Sequence, residues 1–267
     1  YVEEQRTEKL KLQDFFDLFH ENKAMVIFAA KGLFAGFIWT LIFATPTYYI
    51  KWGFCADLTT GIADMDRFTV YSGISSVITV VPMVLGAILG RPLMKLFKDP
   101  VKMTCFLLTV QAIGGCILFV AQITGLLQRA PWLFFMTMFI MATGVGTDFV
   151  PQSFVQMEVV DYGIYKTGKD RSALTTVTDG FITKMQTAFS ATIVGMVLTG
   201  IGYVVEEGNR FAGDVSQIPV MLDWFIVIMG LVPAILGIIS VIIYKKYPIT
   251  NQIRLEMKAF FEKNGKN

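Results

Sequence analysis

Six stretches of the chain, at roughly 24–48, 68–89, 102–124, 131–156, 175–203 and 219–244, are almost wholly apolar. Each reaches the ~20 residues that a helix needs to cross the hydrocarbon core of a bilayer. None carries a polar face at the 3.6-residue period of a soluble amphipathic helix. None alternates residue by residue as a barrel strand does over about ten positions. Turn chemistry falls between them, as in Gly90-Arg91-Pro92 and Asp99-Pro100. The pattern predicts six spanning helices and an all-α integral membrane fold, with residues 24–244 as the spanning region.

Residues 1–23 read differently. Leu12, Phe15, Phe16 and Phe19 recur at i, i+3, i+4 and i+7, with Lys9, Lys11, Asp14 and Asp17 between them. That spacing predicts a short amphipathic helix on the membrane surface. Residues 245–267 form a basic, polar tail, expected to be helical for part of its length.

Charge sets the orientation. Residues 1–23, 90–102, 161–172 and 245–267 hold 17 Lys and Arg, against four (Lys51, Arg67, Arg129 and Arg210) in the alternate loops. Basic residues accumulate on the cytoplasmic side, so both termini are expected in the cytoplasm, with the protein in the cell (inner) membrane. Residue 1 is Tyr, and the chain is expected to lack an N-terminal portion.

Composition agrees with lipid exposure. The chain is 54% hydrophobic and 16% charged, against about 25% charged in soluble domains. A net charge of +2 gives no reason to expect a nucleic-acid partner. Cys55, Cys105 and Cys116 lack metal or redox spacing and read as small hydrophobes. His20, beside Glu21, reads as a solvated surface residue. With no Ser-His-Asp set, metal cluster or phosphate loop, the chain is not expected to be an enzyme or to hold a resident cofactor.

Trp39, Tyr48, Tyr49 and Trp52 cluster at one end of the first span, and Trp132 and Trp224 open two others. Interfacial anchoring accounts for them, with stacking on a substrate as the alternative. Pro46, Pro82, Pro151 and Pro233 allow kinks, and pairs such as Gly86 and Gly90 or Gly144 and Gly146 allow helix backbones to approach closely.

The sharpest signals are ionisable residues inside the spans, each expensive unless paired or hydrated. Lys184 lies in the fifth span, five residues after Asp179, and Asp148 and Gln152 lie one turn apart in the fourth. Lys184 is expected to be a fixed cation in a watered cavity, the alternative being a structural pair with a neighbouring helix. Lys31, in the first span, is expected to snorkel toward the cytoplasm. Glu158 and Asp161 are expected to pair with basic loop residues.

The segment Asp161-Tyr162-Gly163-Ile164-Tyr165-Lys166-Thr167-Gly168-Lys169-Asp170-Arg171 resembles the Asp-Tyr-x-Glu-x-x-Thr-Gly-x-Arg signature of the glycoside–pentoside–hexuronide:cation symporters. These carriers, the family of the melibiose carrier, belong to the major facilitator superfamily. Phe181-Ile182-Thr183-Lys184 and Gly200-Ile201-Gly202-Tyr203 are similar to that family's helix 11. The resemblance covers about residues 20–250 and implies helices 7–12 of a twelve-helix carrier, hence a six-helix C-terminal half. It implies an N-terminal six-helix half as partner, a sugar or glycoside as substrate, and co-transported sodium or protons bound mainly in that other half. Lys184, Phe149, Gln152, Asp148 and Asp179 would then bind substrate. Asp161, Tyr162, Thr167, Gly168 and Arg171 would form a cytoplasmic gate. Ile164 stands where the family has Glu, Asp170 is inserted before Arg171, and Gly180 replaces a hydroxyl residue of some members. A carrier of the same fold for a lysolipid or organic anion, or a membrane scaffold without transport, are the alternatives.

Overall fold

The computed structural model describes residues 12–200, 203 and 208–263, without the side chains of Leu12 and Asp14. Lys9 and Lys11 of the first amphipathic pattern, and Ile201 and Gly202 after the fifth span, lie outside the described residues. Six helices are long and apolar enough to cross a membrane: α2 (Lys23–Phe54), α3 (Met65–Phe97), α4 (Pro100–Ile123), α5 (Pro131–Thr167), α6 (Ser172–Gly200) and α7 (Val215–Tyr244). Shorter helices flank them, α1 (Leu12–Glu21) and α8 (Asn251–Lys263). The all-α membrane fold is as the hydropathy pattern predicts.

The helices overrun their apolar cores, and two expected turns move. Gly90-Arg91-Pro92 does not break the chain, since α3 continues through Pro92 to Phe97 and closes on Lys98 in the left-handed region. Asp99-Pro100 does start a helix, the Asp99 carboxylate accepting the backbone N–H groups of Val101 and Lys102. The stretch from Asp161 to Thr167, expected in a loop, is the last part of α5. Nothing between Pro151 and Gly168 breaks a helix. Gly168 ends it at φ 70°, its N–H donating to the Ile164 carbonyl.

Prolines bend the first and last spans. α2 is interrupted at Thr45 before Pro46 and widens into a π-turn over Ile50–Phe54. In α7 a π-turn over Val227–Leu231 precedes Pro233.

Helix α5 is the hub, packing on α2, α3 and α4, while α7 packs on α2 and α4 and α6 leans chiefly on α2. Small residues set these distances. A Cβ on Gly146 would strike the Met83 carbonyl of α3, and one on Gly86 would strike the Thr143 carbonyl of α5. Gly115 of α4 meets the Gly230 carbonyl of α7 in the same way. Without a hydrophobic force between helices in lipid, such close approach is how they hold together.

At one end, β1 (Ala56–Asp57) pairs with β2 (Ile62–Ala63), and Ile62 bridges to Arg210. Tyr49 and Trp52 are fully buried there, Tyr49 stacked 5.2 Å from Phe134, so these two are core residues and not interfacial anchors. The bend at Pro46 turns them inward. Trp132 and Trp224 remain exposed as anchoring requires.

At the other end, α1 packs on α2 and α5. Leu18 is buried, with Phe15 and Phe19 packed around it, whereas Phe16 is 75% exposed. The buried stripe of α1 is thus turned away from Phe16. Asn22 joins the elements: its Oδ1 accepts the Met25 N–H to cap α2, and its Nδ2 donates to the Val159 carbonyl of α5 at 2.9 Å.

Candidate functional site

A cavity of about 360 Å³ opens between α2, α4, α5 and α6. Its polar floor is built on α5, where Asp148 and Gln152 stand one turn apart and so share a face. Lys31 of α2 reaches them. Its Nζ lies 3.3 Å from Asp148 Oδ2 and 3.4 Å from Gln152 Oε1, and 5.3 Å from the centre of the Tyr244 ring of α7. The other Asp148 oxygen accepts a 2.7 Å bond from Thr104 of α4. Lys31 is 1% exposed. It does not snorkel; it is half of a buried ion pair, because α2 presents this position to the bundle interior.

A buried pair is maintained only where geometry and extra hydrogen bonds offset the cost of desolvating both ions. Here Gln152 and Thr104 supply the hydrogen bonds, and the Tyr244 ring adds a cation–π contact to Lys31. Both carboxylate oxygens and the ammonium are therefore engaged.

The aromatic wall consists of Trp39 and Phe149, 5.6 Å apart and tilted by 56°. Phe149 is 47% exposed, its ring open to the cavity it lines. Trp39 belongs to this wall and not to an interfacial belt.

Helix α6 contributes Asp179, Thr183, Gln186 and Thr187. Gln186 is buried and ties α6 to α2 by donating to the carbonyls of Gly32 and Leu33. Gly36 makes room for it, since a Cβ there would occupy the same space as the Gln186 amide. One turn on, the hydroxyls of Ser190 and Thr40 bond to each other across the same interface. Gln111, buried on α4, lines the far side.

Asp148, Phe149, Gln152 and Asp179 thus surround one cavity. Lys184 does not line it. Its position is on the exposed side of α6, next to Thr183 but turned away from the lining. Trp39 takes the stacking alternative left open for it, and the residues that sequence reading passed over are Lys31 as a member of the site, and Thr104, Gln111 and Gln186. The last two carried a usable signal, being amides inside apolar spans.

The expected gate residues sit elsewhere, at the end where α1 and α8 lie. Arg171 pairs with Glu21 at 2.8 Å. Thr167 donates to the Gly163 carbonyl, Tyr162 is buried, Lys166 stands 5.6 Å over the Tyr162 ring, and Asp161 is on the exposed face of α5. A second clamp adjoins them. Arg254 of α8 grips Glu158 of α5 through two bonds, of 2.7 and 3.2 Å, and reaches Asp99 at 3.3 Å. Glu158 therefore finds its basic partner in the tail helix. Burial, and then the negative Glu158, push the neighbouring Tyr247 phenol well above its ordinary value.

Among the described residues no group of His, Cys, Asp and Glu is arranged to hold a metal ion. The sequence profile of the family described as MFS/sugar transport protein matches residues 1–251. No curated protein and no solved structure matches the chain.

Proposed function

The chain belongs to the MFS/sugar transport protein family, and on that premise we propose that it is the six-helix C-terminal half of a symporter carrying a sugar or glycoside together with sodium or protons. Within the superfamily, we assign it to the glycoside–pentoside–hexuronide:cation carriers on the strength of the Asp161–Arg171 segment.

The observation that carries this reading is the cavity itself. A mid-span pocket that sets the Trp39–Phe149 pair beside Asp148, Gln152, Asp179 and Thr183 offers what a sugar ring uses. Its C–H face packs on aromatic rings and its hydroxyls bond to carboxylates, amides and threonine. Lys31, eight residues into α2, lies ~12 Å along the helix at 1.5 Å per residue, well inside the hydrocarbon layer. Substrate sites of such carriers lie near the midplane at the junction of their repeats.

An N-terminal half is the expected partner. α3 and α6 are the least buried of the spans, and the open face of α6 carries Thr176, Thr183, Lys184, Thr187 and Thr192. A lysine is unsuited to lipid tails, but it suits a watered seam between two halves. Lys184 belongs to that seam, outside the cavity lining. Transport proceeds by alternating access, the halves rocking about the bound sugar, with no covalent step. The Arg171–Glu21 pair and the Arg254 clamp close the cytoplasmic end, and both termini face the cytoplasm, with the protein in the cell membrane.

The test is uptake of labelled glycosides by the full protein in proteoliposomes, with lysolipids as the competing cargo. Accumulation of glycoside driven by a sodium or proton gradient supports the reading; movement of lysolipid alone overturns it.

A further inference from the structure

We infer that this cavity admits uncharged sugar rings and rejects sugars bearing a carboxylate, and that Asp179 sets that preference. The inference rests on the cavity being a sugar site, as proposed above. Its charges decide the point. The lining holds two carboxylates, Asp148 and Asp179, and one ammonium, Lys31. That ammonium is already committed. It is 1% exposed and enclosed by Asp148, Gln152 and the Tyr244 ring. A hexuronide entering the pocket therefore meets no available cation on the wall that this half supplies, because taking Lys31 would strand Asp148 beside it. Asp179, half-buried on α6, is the carboxylate left over, and it makes no ion pair among the described residues. Lys184 is on the same helix but outside the lining.

Charges of like sign a few ångströms apart repel strongly once water is thinned out. A neutral glycoside has no such conflict, and the Asp179 carboxylate can accept its hydroxyl protons. The aromatic pair then supplies apolar contact that is indifferent to charge.

The experiment compares uptake of two labelled sugars that differ only at C6, a neutral glycoside and the matching uronide, by the full protein in proteoliposomes at neutral pH. The wild type is expected to prefer the neutral sugar by about tenfold or more, an order of magnitude set by one uncompensated charge in a partly dehydrated site. Asp179→Asn, and separately Asp179→Ser, are expected to narrow that ratio severalfold by raising relative uronide uptake. A ratio between two substrates is unaffected by loss of folded protein, so a merely structural role for Asp179 leaves it unchanged. Uronide uptake equal to or above that of the neutral sugar, or a ratio unmoved in both variants, overturns the inference while leaving sugar transport intact. Uptake of neither sugar overturns the inference and the proposed function together.

Discussion

Lys31 Nζ stands 3.3 Å from Asp148 Oδ2, joining the first span to the fourth in the interior of the bundle. The two residues are 117 positions apart in the chain. The pair is both a tie between helices and one wall of the cavity, so it can be probed by stability and by transport separately.

Removing one partner leaves the other charge buried alone. Lys31→Met is expected to destabilise the folded protein by about 3–5 kcal/mol, and Asp148→Asn by a similar amount. The double variant is expected to recover much of the loss, since neither charge remains. Thermal melting in detergent, run on all three, checks this coupling. Additive losses in the double variant would mean that the pair is not a unit.

The α3–α5 contact is expected to tolerate no side chain at Gly146, where a Cβ meets the Met83 backbone carbonyl. Gly146→Val should cost about 1–3 kcal/mol or more through overpacking and lower the yield of folded protein. Gly195→Ala, on the open part of α6 with nothing within 4 Å, should change neither. Size-exclusion profiles of the two variants side by side give the comparison.

Orientation follows from accessibility. In a background without native cysteines, Asp57→Cys and Lys263→Cys place thiols at the two ends of the bundle, both at exposed positions. A membrane-impermeant maleimide applied to intact cells is expected to label the first and not the second. The reverse pattern would invert the assigned topology.

The native Cys55 thiol follows a different rule. Burial pushes it up to about 11, with Arg67 opposing and Asp64 adding to the shift. The thiolate is the reactive form, so at pH 8 Cys55 should resist alkylation and gain reactivity only as the pH approaches 11. Rapid labelling at pH 8 in the folded protein would show that the segment after α2 is open.

Much of the architecture was legible because a bilayer imposes length. Six apolar runs of about 20 residues could only be spans, and the Asp99-Pro100 signal marked a true helix start. Rotation of each helix was not legible. In lipid both faces of a span are apolar, so periodicity does not say which side turns inward. That is why Lys31 and Lys184 could not be ranked from sequence. Both are single lysines in apolar helices, yet one is enclosed by Asp148 and Gln152 while the other lies on the open face of α6. Tyr49 and Trp52 mislead for a related reason. Aromatic residues near a span end suit the interface equally well until a proline bend swings them into the core.

The cavity as the sugar site is tested most directly by kinetics on its aromatic wall. Trp39→Ala is measured against Trp132→Ala, which removes an exposed tryptophan outside the cavity lining. Stacking on an aromatic ring contributes about 0.5–1.5 kcal/mol. Trp39→Ala should therefore raise the KM for glycoside uptake by about two- to tenfold, with Phe149→Ala behaving alike and Trp132→Ala leaving it unchanged. An unaltered KM in both cavity variants, in protein that still transports, would show that the sugar binds somewhere else.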